Sequence, residues 1–171
     1  MIKLVRLDYR LLHGQVVFSW TGHVGAQRII VVDDDAANDE MKKSALLLSK
    51  PAGVRVNIFT VDKAIAKMPK VEQLDEKIMM IFGNTAALLK FCQAYPKIKE
   101  INYGAVANKP GSKAFDQSVF LTPEEQAMVD QFAEKIDITN SQQVLQYGSA
   151  CQKKIGDFSE AALSKVSTKD L

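Results

Sequence analysis

The chain is poor in the residues that build metal centres and disulfide frameworks. Its 171 residues include only two cysteines, Cys92 and Cys151, and two histidines, His13 and His23. The cysteines lie far apart and form no CxxC pair, which argues against a zinc site and leaves two ordinary reduced thiols as the expectation. No metal-ligand cluster is visible, and neither a metal nor a cofactor is expected. Long apolar runs are also missing. No stretch approaches the ~20 apolar residues that a membrane helix needs. The amino terminus, MIKLVRLDYR, is interrupted by charge every two or three positions and holds no signal-peptide core. Any membrane association is therefore expected to go through a partner. An excess of one charge is lacking as well. A net charge of +2, with lysines and arginines alternating with acids, is too small to point to nucleic acid.

What is present is the composition of an average soluble globular protein, 47% hydrophobic and 25% charged. A chain of this length suits one compact domain and buries roughly 70% of the surface exposed on unfolding. There is no internal repeat and no low-complexity linker. Strand-like apolar runs alternate with amphipathic windows. Ile2 to Leu7 reads as a first strand, and a helix including Val16 to Trp20 follows. Arg28 to Val32 (RIIVV) is a β-branched run typical of a strand buried on both faces. Asp33, Asp34 and Asp35 follow it, then a helical window from Ala36 to Ser49. Val54 to Thr60 and Lys77 to Phe82 read as further strands, and Thr85 to Ala94 as a helix. Lys99 to Tyr103 and Gln117 to Leu121 are weaker strands. Thr122-Pro123-Glu124-Glu125 is a helix start, with Thr122 as cap, Pro123 at the first helical position and Glu125 three residues after the cap. That helix is expected to reach about Lys135, and Ile136 to Thr139 is a candidate last strand. The residues from Asn140 onward receive no assignment.

This alternation predicts a single α/β domain with a mostly parallel central sheet and helices on both faces. In such sheets ligands bind at the carboxyl ends of strands, near helix amino termini. The places to search are therefore just after Leu7, Val32, Thr60, Phe82 and Tyr103.

One of them concentrates chemistry. Asp8-Tyr9-Arg10-Leu11-Leu12-His13-Gly14-Gln15 lies between the first strand and the first helix. Phosphoryl transfer to histidine needs a neutral imidazole nitrogen as nucleophile, available near neutral pH. The other ring nitrogen should carry the proton and be held by an acceptor, which Asp8 or a backbone carbonyl would supply. The incoming group is dianionic and needs donors already in place. A helix amino terminus offers backbone N–H groups, and Arg10 offers a planar, permanently charged fork. Gly14 permits close backbone approach. The bland alternative is that a lone histidine after a strand is a surface or structural residue. His23 has no comparable neighbours and reads as structural or solvated, and Arg6 and Gln15 would by themselves be ordinary polar residues.

The run Arg6-Leu7-Asp8-Tyr9-Arg10-Leu11-Leu12-His13-Gly14-Gln15-Val16 closely resembles the active-site segment of the IIB components of the mannose/fructose/sorbose class of the bacterial sugar phosphotransferase system. Trp20 resembles the aromatic that follows in that family. Weaker similarity runs through Arg28 to Asp33, Lys50-Pro51-Ala52-Gly53-Val54, Ile81-Phe82-Gly83-Asn84-Thr85 and Asn102-Tyr103-Gly104. It covers roughly residues 1–135 of a domain expected to span 1–171, and is best over 5–20. The resemblance implies a phosphotransferase of the protein-phosphohistidine–sugar type. His13 would accept a phosphoryl group on Nδ1 from a IIA partner, itself charged by the carrier HPr. It would then pass the group to a hexose or related sugar carried by membrane IIC and IID components. In that reading Arg10 neutralises the phosphate, Asp8 orients or modulates the ring, and Arg6, Gly14 and Gln15 belong to the phosphate-binding loop. Gly83, Asn84 and Thr85 stand behind the site. The protein would be cytoplasmic and peripherally bound to its permease, with no membrane insertion of its own. The run Ala105 to Lys113 departs from the family pattern, keeping lysines and a glycine without the usual second glycine. Two other readings stay open: a phosphorylatable regulatory module of the same fold not coupled to transport, and a small hydrolase or isomerase using His13 with Asp8. Tyr9, Leu11 and Leu12 are candidates for a docking face around His13, with burial as the alternative for the two leucines.

Overall fold

A computed structural model describes residues 1–115, 118–133, 137–140 and 153–154. Its strands are β1 (Ile2–Asp8), β2 (Arg28–Val32), β3 (Arg55–Phe59), β4 (Ile78–Phe82), β5 (Glu100–Ala105), β6 (Lys113–Ala114), β7 (Phe120–Leu121), β8 (Asp137–Asn140) and β9 (Lys153–Lys154). Its helices are α1 (Gly14–Val24), α2 (Asp34–Asn38), α3 (Glu40–Leu48), α4 (Val61–Val71), α5 (Thr85–Ala94) and α6 (Pro123–Ala133). Seven strands form one sheet in the order β3-β2-β4-β1-β5-β8-β9. All neighbours are parallel except β8 and β9. The expected α/β class with a mostly parallel sheet is what the chain adopts.

The apolar runs are continuous because both faces of the sheet are covered. Val5, Leu7, Ile30, Val32, Met80 and Phe82 pack on the side that receives α4, α5 and α6. Ile29, Val31, Met79 and Ile81 pack on the other side, against Val17 and Trp20 of α1 and Ala36 of α2. Neighbouring residues of one strand thus serve opposite cores, as the two-residue period of a strand requires. Each fully buried large side chain contributes about 1.5–3 kcal/mol.

Three local features differ from the sequence reading. The window 36–49 is two helices rather than one. Asp39 adopts extended backbone (φ −117, ψ 111), and its side chain accepts the N–H groups of Met41 at 2.9 Å and Lys42 at 3.2 Å. A cap that satisfies two orphan donors restarts the helix there. Helix α4, which received no assignment, starts at the cap Thr60 and carries Pro69 near its end. In the described part of the weak strand expected at 117–121, Phe120–Leu121 pairs antiparallel with Lys113–Ala114 in a small ribbon beside the main sheet. Residues 116 and 117 lie outside the described residues, as do 134–136 and most of the chain after Asn140. The start of α6 matches its expected reciprocal cap: Thr122 N–H donates to Glu125 Oε1 at 3.1 Å, and Glu125 N–H to Thr122 Oγ1 at 3.2 Å.

β1 lies in the interior of the sheet, between β4 and β5. The chain leaves its carboxyl end into α1 and returns on β2, with β4 lying between the two strands. This is where the chemistry-bearing segment emerges.

Candidate functional site

The site is built on the last residues of β1. Arg6 pairs in register with Asn102 of β5 and Leu7 with Tyr103, but Asp8 pairs with Ala105. The register slips by one residue at Gly104, an irregularity of the kind that re-aims side chains at sheet ends near active sites. Gly104 has no side chain because Arg6 occupies the space. A β-carbon at 104 would collide with the Arg6 guanidinium.

Arg6 and Asp8 are each 2% exposed. Arg6 Nη1 donates to Asn102 Oδ1, and Arg6 Nη2 to Asp8 Oδ2 at 3.3 Å. Arg6 Cζ lies 5.5 Å from the centroid of the Trp20 ring, so helix α1 closes over the cation. Burial pulls the Arg6 guanidinium down to about 10, opposed by the Asp8 charge and hydrogen bond, and the Arg10 charge lowers it further. Arg10 stands above. Its Nε donates to Asp8 Oδ1 at 3.1 Å, its Nη2 to Asp8 Oδ2 at 3.2 Å, and its backbone N–H to Asp8 Oδ1 at 3.0 Å. The two-pronged bond to Asp8 holds Arg10 above its ordinary value, against partial burial. Asp8 therefore sits between two arginines, and both of its oxygens are engaged by them.

The loop beyond is bent by two residues of positive φ, Leu11 at 59° and Gly14 at 48°. The Leu11 N–H donates to the Asp8 carbonyl at 3.0 Å, which closes the turn. Burial holds Leu11 in this unfavourable region, since it is only 8% exposed and its side chain packs into the α1–α2 core. Leu12 is buried too, so of the three residues considered for a docking face only Tyr9 is exposed. His13 is exposed, with extended backbone (φ −126, ψ 109), at the position that caps α1. Its side chain makes no capping bond. It therefore stands at the amino-terminal end of an eleven-residue helix that carries no acid in its first turn. Gln15 lies in the first turn of that helix.

The other expected residues lie one strand away. Gly83 follows β4, and a β-carbon on it would collide with the Asp33 carboxylate and approach Leu11 Cδ2 to 3.2 Å. Asn84 caps α5 through a 2.8 Å bond from the Ala87 N–H, and the buried Thr85 hydroxyl lies 3.3 Å from the Tyr103 hydroxyl. Gly83 thus borders the His13 loop, whereas Asn84 and Thr85 serve α5 and the core. Sequence reasoning gave no part to Asp33 or Asn102, although the acidic run and Asn102-Tyr103-Gly104 were the available signals. Among the described residues no group of three or more His, Cys, Asp and Glu side chains could hold a metal ion.

Fold and site together define a parallel α/β protein with a histidine loop at the carboxyl edge of the sheet, backed by paired arginines. Residues 2–155 match the family described as "PTS system sorbose subfamily IIB component". The sorbose-specific EIIB component of Klebsiella pneumoniae is 35% identical over 140 residues, which is 80% of this chain and 85% of that protein. The fructose-specific EIIB component of Bacillus subtilis is 31% identical over 124 residues, 72% of this chain and 76% of that protein. The solved structure of the IIBSor domain of the sorbose permease from Klebsiella pneumoniae superposes with a TM-score of 0.83 at 30% identity, covering 92% of this chain and 94% of that one. The chain belongs to the sorbose subfamily of phosphotransferase-system IIB components. It is accordingly a phosphotransferase component of a sugar phosphotransferase system, a class that works with IIA and IIC/IID partners. No helix among the described residues is long and apolar enough to cross a membrane.

Proposed function

We propose that His13 carries the phosphoryl group, taking it from a phosphorylated IIA protein and passing it to a sugar held by a IIC/IID permease. The observation that supports this most directly is the placement of His13: exposed, at the amino-terminal end of α1, on the same short loop that carries the Asp8–Arg10 pair. In the first step an imidazole nitrogen, by family resemblance Nδ1, attacks phosphorus in line. The N–P bond of the donor phosphohistidine breaks as the new N–P bond forms. In the second step a sugar hydroxyl oxygen attacks, the His13 N–P bond breaks, and the hydroxyl proton leaves to solvent or a permease base. Transfer of this kind requires positioning and charge stabilisation rather than covalent help from further groups. Backbone N–H groups of the α1 start and the Arg10 guanidinium are the donors for the phosphoryl oxygens, with Gly14 allowing close approach and Gln15 beside them. The substrate is a hexose or related sugar. Relatives named for sorbose, fructose and N-acetylgalactosamine supply the first candidates.

The test is intact-protein mass spectrometry after incubation with phosphoenolpyruvate, enzyme I, HPr and a matching IIA. An acid-labile gain of about 80 Da, absent in His13→Ala, is expected. Its absence with several IIA partners removes His13 from the role. Phosphorylation that no permease can discharge onto a sugar supports the regulatory module instead.

A further inference from the structure

We infer that Arg6 is a positioning residue for this reaction: it offsets the charge of Asp8, so that Asp8 holds Arg10 in place without cancelling it. The inference rests on the phosphocarrier reading and deepens it. Arg6 itself is buried beneath the loop, against Asp8, Asn102 and Trp20, so it stands under the phosphate site rather than in it.

The physical problem is one of charge. Asp8 fixes Arg10 with three hydrogen bonds, from the backbone N–H, Nε and Nη2. Those bonds fix the guanidinium and the turn together. A carboxylate paired with one arginine alone is neutral overall, and a neutral pair attracts a dianion weakly. With Arg6 on the same carboxylate, the cluster Arg6–Asp8–Arg10 carries one net positive charge. Its buried member is screened little by solvent. Arg10, a quarter exposed, is the end that faces out.

The surrounding chain is arranged for this cation. Gly104 leaves the volume that the guanidinium fills, and the register slip at that residue carries β5 past it. Asn102 supplies an oxygen acceptor, and the Trp20 ring lies over the charge. A side chain that only filled space would need the glycine but not the acceptor.

The test uses the full chain and inorganic phosphate as probe, following the His13 ring signal by NMR, with His23 as internal reference. Arg6→Met, Asp8→Asn and the double variant are compared with wild type. Arg6→Met is expected to weaken phosphate binding on the order of tenfold, and Asp8→Asn to tighten it. The double variant restores the single net charge and should return to within about twofold of wild type. If Arg6→Met does not fold, the comparison of Asp8→Asn with the double variant carries the test, because that variant removes both members of a buried ion pair together. Equal phosphate affinity in Asp8→Asn and the double variant overturns the inference, as does wild-type affinity in folded Arg6→Met. A wild-type protein that neither binds phosphate nor accepts a phosphoryl group on His13 brings down the phosphocarrier reading and this inference together.

Discussion

Asp8 Oδ1 accepts two hydrogen bonds from the same residue, one from the backbone N–H of Arg10 at 3.0 Å and one from its Nε at 3.1 Å. The side chain of Arg10 is thereby fixed to the turn that carries it. In free solution an arginine has about 2 kcal/mol of rotamer entropy to lose on binding an anion. Here much of that loss is already taken in the folded state.

Removing Asp8 should accordingly cost more than a surface ion pair does. Asp8→Ala leaves the buried Arg6 cation with one partner fewer, and breaking a buried pair from one side costs about 3–5 kcal/mol. Urea unfolding should show the midpoint falling by that equivalent. A loss below about 1 kcal/mol, the range of exposed pairs, would contradict the burial of this cluster.

Arg10→Ala should behave differently, because Arg10 is partly exposed and Asp8 keeps Arg6. The fold should persist while phosphorylation of His13 slows by about 10²–10³, as when one preorganised charge donor is removed. Single-turnover transfer from a phosphorylated IIA protein measures this. Wild-type kinetics in the folded variant would remove Arg10 from the proposed role.

Cys92 should be inert in the native protein. Burial on the core face of α5 pushes its thiol up to about 12, so almost no thiolate exists at neutral pH. In a Cys151→Ser background, iodoacetamide should modify Cys92 only after denaturant is added. Rapid labelling of the folded chain would show that the α5 side of the core opens.

Asp33 offers a pH test. Burial, then the neighbouring charges of Asp35 and Asp34, raise its carboxyl above the ordinary value, against the Ala36 N–H and Lys42, which lower it. The unfolded chain therefore releases this proton at lower pH than the native one. Native stability falls as pH rises from the unfolded value through the raised native one, and the cost is complete once the pH is above both. Asp33→Asn keeps an oxygen for the Ala36 N–H and removes that cost. Its Tm should exceed wild type at pH 7, and the gap should close as the pH falls through the Asp33 titration. A gap that is constant with pH, or a lower Tm at pH 7, would refute the assignment.

Much of the fold can be read from the chain because β2, β4 and α5 are governed by local pattern. Continuous apolar runs bounded by Asp33 and by Gly83-Asn84 leave little choice. Helix α4 was harder to read. Pro69 looks like a breaker, yet α4 runs only to Val71, two residues beyond it. The break at Asp39 was hidden because a capping aspartate inside an apolar-periodic window looks like one more exposed acid. At the site, the sequence motif brought His13, Arg10 and Asp8 to attention. It did not show that Asp8 would turn toward two arginines, because that depends on the register between β1 and β5. For the same reason Arg6 read as part of the phosphate-binding loop, and Asn102 as part of a weak strand and of a separate stretch of family resemblance, with nothing to join the two. The bond between Arg6 and Asn102 is a relationship across 96 residues of chain, which no local pattern encodes.

Gly83 touches two turns at once. Any β-carbon there meets the Asp33 carboxylate on one side and Leu11 on the other. The exit of β4 is therefore a joint without slack, shared by the acidic turn after β2 and the bend that precedes His13. A larger residue at 83 has to push the Asp33 carboxylate aside and crowd the Leu11 side chain, in the bend that precedes His13. Redesign of sugar or partner preference along this edge has to begin beyond the joint, at exposed side chains such as Tyr9 and Phe18, whose replacement leaves the bend where it is.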